Sequence, residues 1–187
     1  MSKIELLSPV GDWNCLLAAV QNGADSVYFG STLFNARASA NNFDIPTLKK
    51  AIEYCKLRNV KTFLTLNFPD LPIHASTQMS IHNLEGVLKL QNLGFKRVVL
   101  ARELPINEIQ YICKNTNIEI ETFIHGALCI SYSGQCLFSS IIGGRSGNRG
   151  KCAGPCRLPY ELLLHNDNSN KDTLLDKGYL LSPKDLC

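Results

Sequence analysis

The chain lacks any apolar run of the roughly 18 residues that a membrane-spanning helix requires. Its first residues, Met1-Ser2-Lys3-Ile4-Glu5, reach an acid before any signal-peptide stretch can form. A cytoplasmic location is therefore expected, with no membrane partner. Also missing are G-x-S-x-G, H-E-x-x-H, G-x-G-x-x-G and G-x-x-x-x-G-K-[ST], so neither a hydrolase triad nor a nucleotide-phosphate loop can be assembled from spacing. A strong charge of either sign is absent too: 19 basic residues face 16 acidic ones, a net +3 that demands no polyanionic partner by itself. What the sequence does have is 187 residues with 45% hydrophobic content, enough for one sizeable core, and eight cysteines.

Alternating apolar strands and amphipathic helices organise the first two thirds. Ile4–Ser8 reads as a strand, and Asp12 caps a helix from Trp13 to about Gln21 that stops at Asn22-Gly23. Ser26–Gly30 is a second strand, Asp44 caps a second helix, and Lys61–Asn67 is a third strand. The alternation resumes with strand Ile73–Thr77, helix Asn83–Leu93, strand Arg97–Ala101, helix Ile106–Asn115 and strand Ile118–Ile124. Such a rhythm implies a parallel sheet with crossover helices, as in an α/β barrel or a doubly wound sheet. One junction breaks it: only Phe68–Pro72 separate two strands, whereas a parallel crossover takes about a dozen residues. Either the two strands run antiparallel, or they are not neighbours, or a unit is missing; the third explains the junction best, because each flank is otherwise a regular βα series and a full eightfold barrel takes about 250 residues. The fold expected is α/β, an incomplete TIM-like (β/α) barrel lacking an internal α-β-α segment and followed by a Cys/Gly-rich loop region. Residues 1–128 would form the partial barrel, and 129–187 a cysteine-rich segment completing the same domain.

From Ser131 the periodicity fades. Tyr160–Leu164 reads as another strand and His165–Asp172 as a polar turn. Residues 143–157 carry five glycines, the four bases Arg145, Arg149, Lys151 and Arg157, and no acid, which leaves −1 for the rest of the chain. Within and before this stretch lie Cys129, Cys136, Cys152 and Cys156 in the pattern C-x6-C-x15-C-x3-C, with Cys187 beyond. Soft thiolates select zinc, copper(I) or iron-sulfur units, and four that converge make a Zn or a [4Fe-4S] site. The paired C-x2-C knuckles usual in structural zinc are absent, so an iron-sulfur cluster is the first expectation, with zinc and plain free cysteines as the alternatives. A cluster with net negative charge would be offset by the four bases, while glycines let backbone N–H groups approach the sulfurs. Cys15, Cys55 and Cys113 lie in helical patterns and read as core or helix-flank residues.

Parallel α/β folds gather their chemistry at the C-terminal ends of strands. That rule selects Ser8, Gly30, Asn67, Thr77, Gln78, Arg102, Glu103, His125 and Gly126. Gln78 can hydrogen-bond a ligand, Arg102 can hold a carboxylate or phosphate, and His125 is four residues from Cys129. His74 lies early in its strand, and Arg37 is a candidate anion contact. His82 and His165 look ordinary.

The run Glu121–Ser139, with Glu121-Thr-Phe-Ile-His125-Gly126 leading to Cys129, Gly134, Gln135 and Cys136, resembles the signature of peptidase family U32, the collagenase-like proteases. It departs from that pattern at Phe138, where an aliphatic residue is usual. Glu5–Pro9, Asn22–Asp25, His74–Gln78, Arg97–Glu103 and Leu181–Cys187 extend the resemblance over nearly the whole chain. The resemblance implies a TIM-like barrel and, despite the family's name, members that hydroxylate RNA bases or a quinone precursor with a [4Fe-4S] cluster. Its implied ligands are Cys129, Cys136, Cys152 and Cys187, with Cys156 as an alternate. The implied function is hydroxylation of tRNA or rRNA by this chain or by the protein of which it is a fragment. A metal-dependent peptidase using His74, Glu103 and His125 is one alternative, and an inactive remnant or partner-dependent subunit is the other. Catalytic candidates are His74, Gln78, Glu103 and His125; substrate-binding candidates are Arg37, Asn67, Arg102, Arg145 and Arg149. RNA, and a second chain supplying the missing barrel segment, are the expected partners. Relatives are expected to carry about 40 further residues near Asn67–Pro69, consistent with the crossover length, and to continue past Cys187.

Overall fold

The computed structural model describes residues 4–31, 42–65, 72–166 and 171–183. Arg37, Asn67, Cys187 and the junction at 66–71 lie outside the described residues. The chain divides into two compact units, residues 1–70 with 149–151, and residues 71–148 with 152–187. The expected boundary at 128/129 thus falls inside the second unit.

In the first unit, β1 (Leu7–Pro9), α1 (Trp13–Gln21), β2 (Ser26–Gly30), α2 (Ile45–Lys56) and β3 (Lys61–Thr65) follow in order. The sheet order is β1-β2-β3 and both pairings are parallel. Asp12 and Asp44 begin the helices as their positions suggest, each carboxylate accepting a backbone N–H three residues on, from Cys15 at 2.8 Å and from Thr47 at 2.9 Å. Gly23, at φ +89°, supplies the left-handed turn that ends the first helix. Because β2 is buried along most of its length, its Val27 and Phe29 anchor a core with Val10, Leu16, Phe43, Leu48 and Cys55. Phe29 and Phe43 meet edge to face with centroids 5.5 Å apart. The Ser26 hydroxyl is also buried here and has no hydrogen-bond partner among the described residues.

The second unit opens with β4 (His74–Ala75), α3 (Leu84–Asn92), β5 (Arg97–Val99), α4 (Ile106–Lys114) and β6 (Glu119–Glu121). This sheet has the order β4-β5-β6, again parallel throughout. Its core comprises Ala75, Val87, Leu90, Val98, Leu100 and Ile112. The strand expected over Ile73–Thr77 shrinks to two ladder residues. The cause is local: the Ser76 hydroxyl accepts the Gln78 N–H and starts a short 3-10 turn at Thr77–Met79. After β6 comes α5 (Phe138–Gly143), which periodicity did not reveal because it is only six residues long and carries no side-chain cap. The antiparallel hairpin of β7 (Tyr160–Asn166) and β8 (Lys171–Gly178) closes the described chain. His165 and Asp172, expected in a turn, instead face each other across this ladder, Nδ1 to Oδ1 at 2.7 Å, so the pairing runs past them. No described helix is long and apolar enough to cross a membrane.

Candidate functional site

Two groups of chemically active residues form in the second unit, and one segment joins them. The segment is Tyr132–Gln135. Ser133 is 1% exposed, and its backbone N–H and hydroxyl both donate to Glu103 Oε1, at 2.7 and 3.1 Å. Its Oγ accepts the Arg102 backbone N–H at 3.2 Å, and its carbonyl accepts the Ser80 hydroxyl at 2.7 Å. Gln135 Nε2 then donates to Ser80 Oγ at 3.1 Å. Gly134, at φ +74°, passes so close to the Gln78 carbonyl that an added Cβ would collide with it, and would lie 2.6 Å from Ser80 Oγ. The residues after β4 and β5 therefore hold the segment that lies between Cys129 and Cys136.

Burial raises the Glu103 carboxyl pKa, but hydrogen bonds from its own backbone N–H and from Ser133, helped by the Arg102 charge, outweigh burial and hold it below the usual carboxylate value. Glu103 is thus a charged anchor. Beside it opens a cavity of about 480 Å³ between the residues following β4 and β5 and the Tyr132–Gln135 segment.

The second group is the thiols. Ser139, nearly buried on α5, accepts the Ala153 N–H at 2.9 Å, which places the residue after Cys152. The Gly154 N–H reaches Cys152 Sγ at 3.3 Å. Arg157 Nη2 donates to the Leu128 carbonyl at 2.7 Å, tying the turn at Cys156 to the residue before Cys129. Tyr160 completes the arrangement, its hydroxyl donating to the Pro155 carbonyl at 2.9 Å and its ring stacking on Phe138 at 6.3 Å. The Cys156 thiol pKa is pushed up by burial and then by the neighbouring thiols of Cys129 and Cys152, with Arg157 opposing. Hydrogen bonds thus tie the Cys152–Cys156 stretch to Leu128, beside Cys129, and to Ser139 of α5. Cys129 and Cys152 are exposed, whereas Cys136 and Cys156 are half-buried. Among the described residues no three His, Cys, Asp or Glu side chains are close enough to hold a single metal ion.

The remaining expectations separate. His74 lies beside Arg97, and Arg97 beside Glu119, in the ladder at the starts of β4, β5 and β6. That is the end of the sheet opposite Gln78 and Glu103. Burial, then the Arg97 charge, lowers the His74 pKa against a smaller opposing effect of Glu119. Arg97 itself bridges Glu119 at 2.7 Å and Glu121 at 3.2 Å. Gln78, Arg102, His125 and Arg145 are exposed in the second unit, while Arg149 belongs to the first. Cys55 is fully buried in the first core, and Cys15 and Cys113 are exposed on their helices. Sequence reasoning missed Ser80, Ser133 and Ser139. The available signal was the run Ser131-Tyr132-Ser133-Gly134-Gln135 set between two cysteines, where a glycine flanked by hydrogen-bonding residues marks a close backbone approach.

The chain is similar to several known proteins. The tRNA hydroxylation protein P1 of Bacillus subtilis is 34% identical over 227 aligned positions, covering 98% of this chain and 54% of its own length. The 23S rRNA 5-hydroxycytidine C2501 synthase of Escherichia coli is 36% identical over 220 positions, covering 98% of this chain and 33% of its own length. The chain thus spans about half or less of these relatives. The solved U32 peptidase Mk0906 is 11% identical with a TM-score of 0.55, over 68% of this chain and 71% of that one, a likeness of fold. The model of peptidase family U32 matches residues 11–68 and 67–187 in two pieces, and on this match the chain belongs to that family.

Proposed function

We propose that this chain is the hydroxylase portion of an RNA-modifying protein, using a [4Fe-4S] cluster to oxidise a base of tRNA or rRNA. The observation that carries the reading is the 2.7 Å hydrogen bond from Arg157 to the Leu128 carbonyl, which ties the turn at Cys156 to the residue before Cys129, in a region anchored by Ser133 and Ser139. The names of the relatives at 34% and 36% identity support it.

The donor set suits a cluster. A lone Zn²⁺ with Zn–S distances near 2.3 Å holds its sulfurs about 3.8 Å apart, whereas a four-iron cube spreads its thiolates more widely. Soft thiolates on stretches tied together by the Arg157–Leu128 and Ser139–Ala153 hydrogen bonds are the donor type such a cluster takes. Cys129, Cys136, Cys152 and Cys187 would hold it, with Cys156 as the alternate. Bound there, the cluster would supply one-electron chemistry. The protein's own part is to fix the thiols, through Glu103–Ser133, Ser139–Ala153 and Arg157–Leu128, and to offset cluster charge with Arg157. Hydroxylation replaces a ring C–H by C–O–H, a two-electron oxidation whose oxygen and electron acceptor come from co-substrates. Arg102 and Arg145 are exposed bases, the residue type that meets RNA phosphate.

The peptidase reading draws no support from these placements: Glu103 is engaged by Ser133, and His74 sits at the other end of the sheet.

We further infer that the fold is an incomplete TIM-like barrel lacking an α-β-α segment, and that a cytoplasmic partner chain supplies it. The alignment runs over 227 positions while taking in 98% of a 187-residue chain, and the two pieces of the family match meet at residues 67–68. A crossover with a helix on each side of a strand takes up a difference of that order.

The test is nucleoside mass spectrometry of total RNA from cells lacking their own U32 hydroxylases and expressing this chain. Appearance of a hydroxylated pyrimidine, lost in Cys129→Ser, supports the reading. Unmodified RNA alongside folded, cluster-loaded protein contradicts it.

A further inference from the structure

We propose that the 480 Å³ cavity beside Glu103 is the pocket for one unstacked nucleobase, taken in by an N–H edge with its phosphates left outside. This assignment rests on the RNA reading above and names the residues that would receive the base.

The cavity lies where the chain leaves β4 and β5, the end at which parallel α/β folds place ligands. Ala101, Leu104 and Pro105 give it an apolar lining. Tyr132 stands at its edge with 73% of its surface exposed, a flat ring that offers a base a stacking partner. Among the described residues no lysine or arginine lines the cavity, while the carboxylates of Glu103 and Glu108 do. A phosphate would be repelled from such a lining, so a nucleotide can enter only by its base.

The hydrogen-bonding groups favour a donor edge. His82 Nδ1 lies 2.7 Å from the Ser80 carbonyl oxygen. A carbonyl can only accept, so in the neutral ring the proton sits on Nδ1 and the Nε2 lone pair remains for a ligand. Glu108, on the first turn of α4, presents a second acceptor. Two acceptors beside a stacking ring match the imino N–H of uracil or the exocyclic amine of cytosine; carboxylate recognition of that amine is a known pairing. The wall formed by Tyr132, Ser133 and Gln135 belongs to the segment bounded by Cys129 and Cys136, so the base would be held by the same stretch that carries two proposed cluster ligands.

Saturation-transfer NMR on the full chain tests this with uridine and cytidine, and with ribose 5-phosphate and lysine amide as competitors. Anisotropy of a labelled single-stranded RNA is measured alongside. Both nucleosides should bind, and Tyr132→Ala should weaken them about tenfold or more. Glu108→Gln should weaken them several-fold, and ribose 5-phosphate should fail to displace them. Circular dichroism melts of the two variants should match the wild type, because both side chains are exposed. Equal nucleoside signals in wild type and both variants, or displacement by lysine amide, would overturn the pocket. RNA binding that survives both substitutions, without nucleoside competition, overturns the pocket and leaves the RNA reading standing. A wild-type chain that binds neither RNA nor nucleoside overturns both.

Discussion

Ser133 gives its backbone N–H and its hydroxyl to a single oxygen of Glu103, at 2.7 and 3.1 Å, and so fastens the cysteine-bearing segment to the residues following β5. Replacing Glu103 by Ala leaves a buried N–H and a buried hydroxyl without their acceptor. The expected cost is about 1–3 kcal/mol of stability. Glu103→Gln keeps an acceptor oxygen and should cost less. Urea unfolding of the two variants checks the order; equal midpoints for Glu103→Ala and wild type would refute the anchor.

Gly134 and Gly23 both hold positive φ, +74° and +89°, but only Gly134 has atoms in the space a Cβ would take. Alanine at Gly23 brings backbone strain alone, about 1 kcal/mol or somewhat more. At Gly134 it also drives against the Gln78 carbonyl and Ser80 Oγ. Gly134→Ala should therefore be the more damaging of the two by thermal melting, and it alone should disturb binding of iron. Equal losses would show that the close approach at Gly134 is immaterial.

His74 should make stability depend on pH. Its pKa is lowered from 6.5 by burial and by Arg97, so below pH 6.5 the unfolded chain takes up a proton that the folded chain refuses. Stability is then fully present above 6.5 and falls as pH drops toward the lowered folded value. Glu103, lowered from 4.5, adds a loss of the same sign at more acidic pH. His74→Gln should flatten the change in urea midpoint between about pH 7.5 and 5.5. A variant with undiminished pH dependence in that window would exclude His74 as the source.

Ser26 tests the first unit. Its hydroxyl is 0% exposed and has no described partner, so folding removes it from water without replacement. Ser26→Ala should raise stability by about 1 kcal/mol. A clear loss would reveal a hydrogen bond that the described residues do not contain.

The rhythm of the βα units was legible because each relies on local signals: Asp12 and Asp44 as caps, Gly23 as a stop, and apolar runs such as Ser26–Gly30. Chain geometry singled out the five-residue junction, and the two pieces of the family match meet at its edge. What sequence could not show was the long-range stitching. Glu103 stood out as a strand-end carboxylate, yet its partner lies thirty residues away in a stretch with no periodicity. His82 looked ordinary because its distinction is a tautomer set by one carbonyl contact. His74 was legible as lying early in its strand, and the register adds Arg97 as its neighbour there.

Iron and acid-labile sulfide, counted per chain after anaerobic reconstitution, test the central claim most directly. The account predicts about four of each, a charge-transfer absorbance that fades on oxidation, and loss of both when Cys129 or Cys152 becomes Ser. Folded protein that retains almost no iron under these conditions, or that binds one zinc through the same thiols, would contradict it.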